Sequence, residues 1–219
     1  MLELVAFDIE TTGFDVGDEV TVIGFAVPMG VRVFAQTGGR DVGDVADAVG
    51  AATDTAVQVS THRCEREVLT AVAGFAADRF RDEDVLLAAY NGERFRGGFD
   101  LPFLRTRYAN HDVAWPFTDV AYADVLPLVS NRFNTTVDGD ECSDLEAAYD
   151  LLCDGAHGAL DPFADSAEAV AAFTEARVTD LVLHNVADVL RTRALARVAQ
   201  RYCSKSDFGV KSLTPVVSD

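Results

Sequence analysis

Two acidic residues follow an apolar run near the start of the chain. Residues 2–7 (LELVAF) are mostly apolar, and Asp8 and Glu10 come next. A run of this length predicts a buried strand, along which side chains alternate between two faces. Asp8 and Glu10 are two residues apart and therefore project to the same face. Because adjacent carboxylates repel each other, the pair predicts a site for a hard divalent cation such as Mg²⁺ or Mn²⁺. A strand that ends in a solvated acidic turn is the alternative interpretation.

The predicted strand is followed by three small residues, Thr11, Thr12 and Gly13. Such residues allow a tight turn, which leaves space for a substrate backbone to approach the carboxylates. We therefore expect all three residues to bind substrate.

A second candidate pair lies near the end of the chain. His184 and Asp188 are four residues apart in a run that predicts a helix from Thr179 to Tyr202, with Thr179 as its N-cap. Residues at this spacing share one helix face, so both side chains can point at the same site. A single His or Asp on a helix is usually solvated or satisfied locally. The coincidence with the acids of the first strand favours a shared site.

A third acidic position, Asp100, lies between a predicted strand and a predicted helix. Residues 85–90 (VLLAAY) predict a buried strand, and Pro102 predicts the first turn of a helix that begins near Asp100 and runs through Tyr108. Functional side chains of sheet proteins gather in such loops. Asp100 is therefore a candidate for the same site.

The segment before Asp100 is basic and contains one aromatic ring. Arg94 and Arg96 flank Phe95. In this arrangement the guanidinium groups can bind a phosphate while the ring stacks on a base. An ordinary solvent-exposed loop is the alternative interpretation.

The remaining patterns predict the elements that position these residues. Further strands are predicted over residues 19–27, 31–35, 56–60 and 117–122, and further helices over residues 64–80, 124–129, 143–155 and 167–176. Most of the predicted strands lie in the first half of the chain and most of the predicted helices lie in the second half. This order predicts an α/β or α+β sheet with helices packed on it. We expect one domain over residues 1–203 and a loose, polar C-terminal tail over residues 204–219.

The charge of the chain is strongly unbalanced. There are 36 acidic and 18 basic residues, giving a net charge of −18, and the two lysines are Lys205 and Lys211. This composition resembles that of proteins from salt-loving archaea. A net negative charge repels a polyanion at long range. At 1 M salt, however, the Debye length is only about 3 Å, so the charge does not exclude nucleic acid as a partner.

Other compositional features bear on the cellular location. The sequence contains no apolar run long enough to span a membrane and no basic and apolar leader at its start. We therefore expect a soluble, cytoplasmic protein without membrane contact. The four cysteines show no C-x-x-C spacing, which favours small buried or incidental residues over disulfides or zinc ligands.

Three motifs in order resemble those of a known family. Residues 7–13 (FDIETTG) resemble the first motif of the DEDD 3′–5′ exonucleases, which belong to the ribonuclease H-like superfamily. Residues 91–92 (NG) with 99–104 (FDLPFL) resemble the second motif, and residues 184–189 (HNVADV) the third. The resemblance covers roughly residues 2–200 and is greatest to the branch related to the proofreading domains of family B DNA polymerases.

The sequence departs from the family pattern at the third motif and before residue 99. The tyrosine subgroup carries Tyr four residues before the last Asp, where this chain has His184. The histidine subgroup carries His five residues before that Asp, where this chain has Leu183. The segment over residues 93–98 is also longer than the pattern requires.

The resemblance implies a fold, a cofactor and a mechanism. It implies an α/β ribonuclease H-like fold with a central mixed β-sheet flanked by α-helices. It implies two Mg²⁺ or Mn²⁺ ions, which would hydrolyse phosphodiester bonds from the 3′ end of single-stranded DNA or RNA. The implied metal ligands are Asp8, Glu10, Asp100 and Asp188, the implied proton acceptor is His184, and Asn91 and Phe99 join the turn residues and the two arginines as implied substrate contacts.

Two other functions remain open at the sequence level. The chain could be a nuclease-like module that binds nucleic acid with weak or no turnover, because His184 replaces a family residue. Less favoured is a haloacid dehalogenase-type phosphatase, since residues 8–12 superficially resemble D-x-D-x-T; such enzymes also need a later lysine, and both lysines lie in the tail.

Overall fold

A mixed sheet lies at the centre of the computed structural model, which describes residues 2–80, 84–93, 99–153, 155, 157–164 and 167–217. Within those residues the sheet has seven strands, which are β1 (Glu3–Thr11), β2 (Val20–Val27), β3 (Gly30–Gln36), β4 (Val57–His62), β5 (Val85–Ala89), β6 (Ala121–Asp124) and β9 (Lys211–Ser212). They are arranged in the order β4-β3-β2-β1-β5-β6-β9. A separate small hairpin is formed by β7 (Thr136–Val137) and β8 (Asp140–Glu141).

Helices cover both faces of the sheet. They are α1 (Val45–Ala52), α2 (Glu65–Arg79), α3 (Asp100–His111), α4 (Val125–Arg132), α5 (Leu145–Leu152), α6 (Ala167–Thr174) and α7 (Val178–Tyr202). The apolar residues of α2 and α3 form one core with the sheet, and those of α1, α6 and α7 form a second core on the opposite face. The protein is therefore α/β, with a mixed central sheet flanked by helices, as predicted.

The alternation of side chains along β1 decides where its acids point. Val5, Phe7 and Ile9 pack into the core beneath α2 and α3, whereas Ala6 packs into the core beneath α7. Asp8 and Glu10 have the same parity as Ala6. Both carboxylates therefore lie on the α7 face of the sheet.

Strand direction brings the ends of three elements together. β1 pairs with β5, and β5 with β6, in parallel, so their carboxyl ends meet at one edge of the sheet. β1 pairs antiparallel with β2, and β2 with β3, which confirms the predicted hairpin. Side chains at the carboxyl ends of parallel strands commonly form the functional site of an open α/β sheet.

Several predicted element boundaries are shifted, most informatively the start of α7 and the position of β6. α7 begins at Val178 with Arg177 as its N-cap, so Thr179 lies inside the helix. Ala176 adopts the left-handed conformation (φ 60°), which turns the chain from α6 directly into α7 and starts the helix early. The strand predicted over residues 117–122 also lies further along, at residues 121–124.

The C-terminal segment is more ordered than the predicted loose tail. Lys211 and Ser212 form β9, which pairs antiparallel with β6. Leu213 is buried in the core beneath α2 and α3, and its carbonyl accepts a hydrogen bond of 3.1 Å from Trp115 Nε1. The prediction of a loose tail is therefore wrong for these residues, because pairing with β6 and the buried side chain of Leu213 fix them at the sheet edge.

Within the described part of the chain, none of the helices combines the length and the apolar character needed to cross a membrane.

Candidate active site

Asp8 and Glu10 lie at the carboxyl end of the central strand. Asp8 is paired with Gly24 of β2, and the register shifts between Glu10 and Thr11, where the strand has a bulge. Bulges beside functional sites often redirect a side chain or end the pairing of strands. The Glu10 side chain is only 12% exposed, so it has lost most of its contact with water.

His184 and Asp188 of α7 lie over these two acids. His184 Nε2 is 3.9 Å from Glu10 Oε1 and 3.8 Å from Asp188 Oδ2. Single ligand atoms of all three residues lie within 4.8 Å of one another. The structure therefore brings Glu10 next to His184 and Asp188, which lie more than 170 positions later in the sequence.

Asp100 approaches the same edge from the first turn of α3. Its residue exposure is 7%, and its Oδ2 has no hydrogen-bond partner among the described residues. Gly92 makes this position possible, since a Cβ there would lie 2.8 Å from Asp100 Oδ2. The Asn-Gly sequence before α3 thus provides space for the carboxylate.

Burial and mutual repulsion perturb the carboxylates strongly. Burial, followed by the charges of Glu10, Asp100 and Asp188, raises the pKa of Asp8 well above its ordinary value. Burial, followed by the charge of Asp188, does the same to the pKa of Glu10. Burial and the charges of Asp124 and Asp188 raise the pKa of Asp100 to about 8.

Asp188 is perturbed less simply, because it also has cationic neighbours. Burial raises its pKa, while the charge of His184 and the hydrogen bond from Arg191 lower it in part. Carboxylates perturbed by burial and by specific charged neighbours are characteristic of candidate functional sites.

A divalent cation fits this cluster. The cluster combines four acidic side chains, one of them with a buried oxygen that none of the described residues hydrogen-bonds, and a histidine nitrogen within 4 Å of two carboxylate oxygens. Oxygen donors at this density are typical ligands of Mg²⁺ and Mn²⁺. Glu10, His184 and Asp188 have ligand atoms within 4.8 Å of one another, and Asp8 and Asp100 beside them are further candidate ligands.

The predicted substrate-binding turn makes internal hydrogen bonds. Thr11 Oγ1 donates to Gly13 O at 2.8 Å, and Thr12 Oγ1 donates to Asp18 Oδ1 at 3.0 Å. A Cβ on Gly13 would lie 2.5 Å from Asp18 Oδ2, so glycine is needed for this close approach. The turn is thus a stable border of the site, and its contact with substrate stays a prediction.

The second motif closes a loop beside the site. Asn91 adopts the left-handed conformation (φ 61°), and its carbonyl accepts a hydrogen bond of 3.0 Å from Phe99 N. The Phe99 ring lies 4.7 Å from the Phe103 ring and 5.0 Å from the Phe14 ring. Arg94 and Arg96, the predicted phosphate contacts, lie outside the described residues.

Sequence reasoning missed Asn185, which holds Asp8 in place. Asn185 is fully buried, and its Nδ2 donates to Asp8 Oδ2 at 2.9 Å and to Asp8 O at 3.2 Å. A Cβ on Gly24 would lie 1.9 Å from Asn185 Oδ1. The available signal was an amide residue amid the apolar positions of a helix, next to a candidate histidine.

We expect Gly24→Ala to disturb the site through this contact. The added methyl group must displace Asn185 and with it Asp8, so we expect a loss of about 1–3 kcal/mol in the free energy of unfolding. We also expect metal affinity to fall about 10–100-fold, as for other losses of a supporting hydrogen bond. Chemical denaturation and calorimetric metal titration measure both effects.

Gly74→Ala is the matched control, because a Cβ at Gly74 of α2 meets nothing within 4 Å. Alanine should stabilise that helix by up to about 1 kcal/mol. Equal behaviour of the two variants would contradict the role given to Gly24.

Asp161 and Arg191 were also missed. Asp161 Oδ1 is 2.8 Å from His184 Nδ1, and Arg191 Nη1 donates to Asp161 Oδ2 at 2.8 Å and to Asp188 Oδ1 at 2.7 Å. Asp161 lies in an irregular segment 23 residues before His184, so no periodicity could place it. Arg191 follows Asp188 by three positions on the same helix face, which was a usable signal.

Asp124, at the end of β6, supports the second motif. Its carboxylate accepts hydrogen bonds from Asn91 N at 2.8 Å and Glu93 N at 3.2 Å, and it also caps α4 through Leu126 N. Asp124 therefore ties the loop that leads to Asp100 to the neighbouring strand.

No family model matches the chain, and no curated protein matches it either. The functional argument consequently depends on the geometry of the site.

Proposed function

We propose that this protein is a metal-dependent 3′–5′ exonuclease that hydrolyses phosphodiester bonds of single-stranded nucleic acid. The observation that carries the proposal is the meeting of Asp8, Glu10, Asp100 and Asp188 at one edge of the sheet, with raised pKa values and a histidine beside them. These residues come from three separated motifs in the order that the DEDD exonucleases have. The mixed sheet with helices on both faces is compatible with the ribonuclease H-like fold of that family.

The four acids would hold the ions, and the surrounding residues would keep the acids in place. Bound divalent cations would neutralise the charge that develops on the phosphate and supply an activated water. Asn185 holds Asp8, and Gly92 leaves space for Asp100. In the overall reaction, water adds to phosphorus, the bond from phosphorus to the 3′ oxygen breaks, and a nucleoside 5′-monophosphate leaves.

An aromatic pair beside Asp100, with Phe14 exposed and Phe99 half-buried, supports a single-stranded substrate. Phe14 is 71% exposed and stands edge-on to Phe99, which directly precedes Asp100. Bases stack on such rings regardless of sequence, whereas bases within a duplex are already stacked. The pair therefore offers a place for the terminal bases of an unpaired strand.

Phe14→Ser is expected to weaken substrate binding more than catalysis. Loss of one stacking ring corresponds to about 1–3 kcal/mol, so KM for single strands should rise about 5–100-fold while kcat changes little. Steady-state kinetics on a labelled oligonucleotide measure both constants. Val16→Ser is the matched control, since Val16 is 74% exposed on the same loop but carries no ring. A similar rise in KM for both variants would rule out stacking.

The acidic composition predicts that the protein binds nucleic acid better at high salt than at low salt. With a net charge of −18, a polyanion is repelled at low ionic strength, and screening at molar salt removes most of that repulsion. We infer that the protein works in a salt-rich cytoplasm.

One observation favours the alternative of a binding module with weak turnover. Arg191 donates a hydrogen bond of 2.7 Å to Asp188 Oδ1, so a cation must share this carboxylate with a guanidinium group. In that case the site would bind a strand end without hydrolysing it.

The end of the strand that is attacked distinguishes these functions. The substrates are DNA and RNA strands of one sequence, each with either a normal or a phosphorothioate linkage at its 3′ end. An exonuclease shortens the unmodified strands and stops at the modified ones. Internal cleavage of the blocked strands would contradict an exonuclease that acts from the 3′ end. Metal-dependent binding without cleavage would favour the binding module.

A further inference from the structure

The Nε2 atom of His184 faces the acids without a hydrogen bond. His184 is 6% exposed, and among the described residues its Nε2 has no partner within hydrogen-bond distance. The nearest carboxylate oxygens are those of Glu10 at 3.9 Å and Asp188 at 3.8 Å. Ligand atoms that share one ion at about 2.1 Å lie about 3.0–4.2 Å apart, depending on the angle between them. Both distances from Nε2 fall within this range, and the ligand atoms of all three residues lie within 4.8 Å of one another.

The other side of the imidazole ring is held firmly. Asp161 Oδ1 binds Nδ1 at 2.8 Å, and the Phe163 ring lies 5.3 Å from the His184 ring. A histidine that binds a metal nearly always donates its other ring N–H to a carboxylate, a carbonyl or water. Asp161 has this position, and its charge is balanced by Arg191 at 2.8 Å.

We propose that Glu10, Asp188 and His184 Nε2 bind one divalent cation together, that Asp161 positions the imidazole, and that the nitrogen ligand makes this site prefer first-row transition-metal ions to Mg²⁺. The proposal rests on the proposed exonuclease function and concerns one of its two ions. A nitrogen bound to a cation has no lone pair for a proton, so this role is an alternative to the proton acceptor that the family resemblance implies.

The preference follows from the chemistry of the donor atoms. Mg²⁺ binds oxygen donors and retains water, whereas imidazole suits later divalent ions. The affinity of a mixed nitrogen and oxygen site increases from Mn²⁺ through Fe²⁺ to Co²⁺. Co²⁺ is therefore the most informative probe, because its visible spectrum also reports nitrogen ligation.

The test compares metal affinities of the full chain, freed of metal, by calorimetry and visible spectroscopy with Co²⁺, Mn²⁺ and Mg²⁺. His184→Gln should lower Co²⁺ affinity by about tenfold or more and Mg²⁺ affinity by less than about threefold. Asp161→Asn should also lower Co²⁺ affinity about tenfold, since the ring loses its carboxylate partner.

His62→Gln is the matched control, because His62 lies on the edge strand β4 and stacks on Phe34. Co²⁺ affinity in His184→Gln equal to that of His62→Gln would overturn the proposal. Should His184→Gln not fold, pulsed electron paramagnetic resonance of Mn²⁺ bound to the wild-type protein gives the answer directly. Coupling to an imidazole nitrogen supports the proposal, and its absence overturns it.

These readouts separate the inference from the exonuclease function. Metal binding that depends on His184 in a protein without nuclease activity would support the ligand assignment and contradict the exonuclease. Metal-dependent exonuclease activity with an unchanged Co²⁺ affinity in His184→Gln would support the exonuclease and contradict the ligand assignment.

Discussion

Asp8→Asn is expected to abolish exonuclease activity while it stabilises the protein in the absence of metal. Asp8 is surrounded by Glu10, Asp100 and Asp188, so its carboxylate is costly to bury without a cation, and in the proposed function it is one of the metal ligands. Losing this ligand should lower the rate by about 10³-fold or more, since metal ions contribute several kcal/mol of charge stabilisation. Removing the repulsion should raise the melting temperature by about 2–4 °C per kcal/mol gained.

Asp54→Asn provides the matched control, because Asp54 is an exposed aspartate outside the site. Its activity and its melting temperature should both stay close to those of the wild-type protein. If metal-free Asp8→Asn melts at a lower temperature than metal-free wild-type protein, repulsion between the site carboxylates does not destabilise the fold.

The repulsion between the buried site carboxylates also predicts how the stability of the metal-free protein depends on pH. The pKa of a site carboxyl is about 4 in the unfolded chain and is raised on folding, to about 8 for Asp100. Between these values the folded state binds more protons than the unfolded state, so the free energy of unfolding falls as pH rises. Denaturation of metal-free protein between pH 5 and pH 8 measures this slope, which should be smaller in Asp8→Asn.

Glu65→Gln is expected to be the most destabilising single substitution away from the site. Glu65 is 2% exposed, and its carboxylate accepts hydrogen bonds from Arg107 Nε at 2.8 Å, Arg107 Nη2 at 2.6 Å and Val20 N at 2.8 Å. His111 Nε2 lies 2.6 Å from the same carboxylate. Removing the negative charge leaves a buried guanidinium without its counter-ion, which typically costs about 3–5 kcal/mol. The melting temperature should fall by about 6–20 °C.

The pH dependence of this loss has a defined sign. Burial alone would raise the pKa of Glu65, but the hydrogen bonds from Arg107 and Val20 outweigh it and lower the pKa below its ordinary value. The contribution of Glu65 is therefore fully present above about pH 4.3, the unfolded value, and is lost as pH falls through the lower folded pKa. Glu168→Gln, at an exposed position of α6, is the control, and an equal change in both variants would contradict the prediction.

The buried cluster of Glu65, Arg107 and His111 also supports the loop that carries Phe14. Arg107 Nη1 donates to Val16 O at 3.0 Å, and Val16 lies in the loop that carries Phe14. Weaker substrate binding should therefore accompany the stability loss in Glu65→Gln.

The regular parts of the fold could be predicted from periodicity alone. The β1 strand, the β2–β3 hairpin and α7 carry long apolar patterns, so their existence and type follow from local sequence. The tail could not be predicted, because its order comes from contacts with distant residues: pairing with β6, burial of Leu213 and hydrogen bonds from Trp115 and Asp119. The start of α7 depends on the left-handed turn at Ala176, and alanine gives no sequence signal for that conformation.

The acids of the site could be predicted because Asp8 and Glu10 lie near the end of β1, Asp100 begins α3, and Asp188 lies one turn from His184 on α7. Asp8 and Glu10 share a strand face, and His184 and Asp188 share a helix face, so their spacing already places each pair. Asp161 could not be found in this way, since it reaches His184 from an irregular segment. Gly24 was equally hidden, because its importance comes from Asn185 on another element.

A time course on 5′-labelled single-stranded DNA and RNA, at high salt with Mn²⁺, Mg²⁺ or chelator, tests the central claim most directly. Wild-type protein is run beside Asp8→Asn and Asp54→Asn. We predict a ladder that shortens one nucleotide at a time from the 3′ end, requires the metal ion, persists in Asp54→Asn and is absent in Asp8→Asn. Full-length strands after prolonged incubation of correctly folded wild-type protein with Mn²⁺ or Mg²⁺, or an equally fast ladder in Asp8→Asn, would contradict the account.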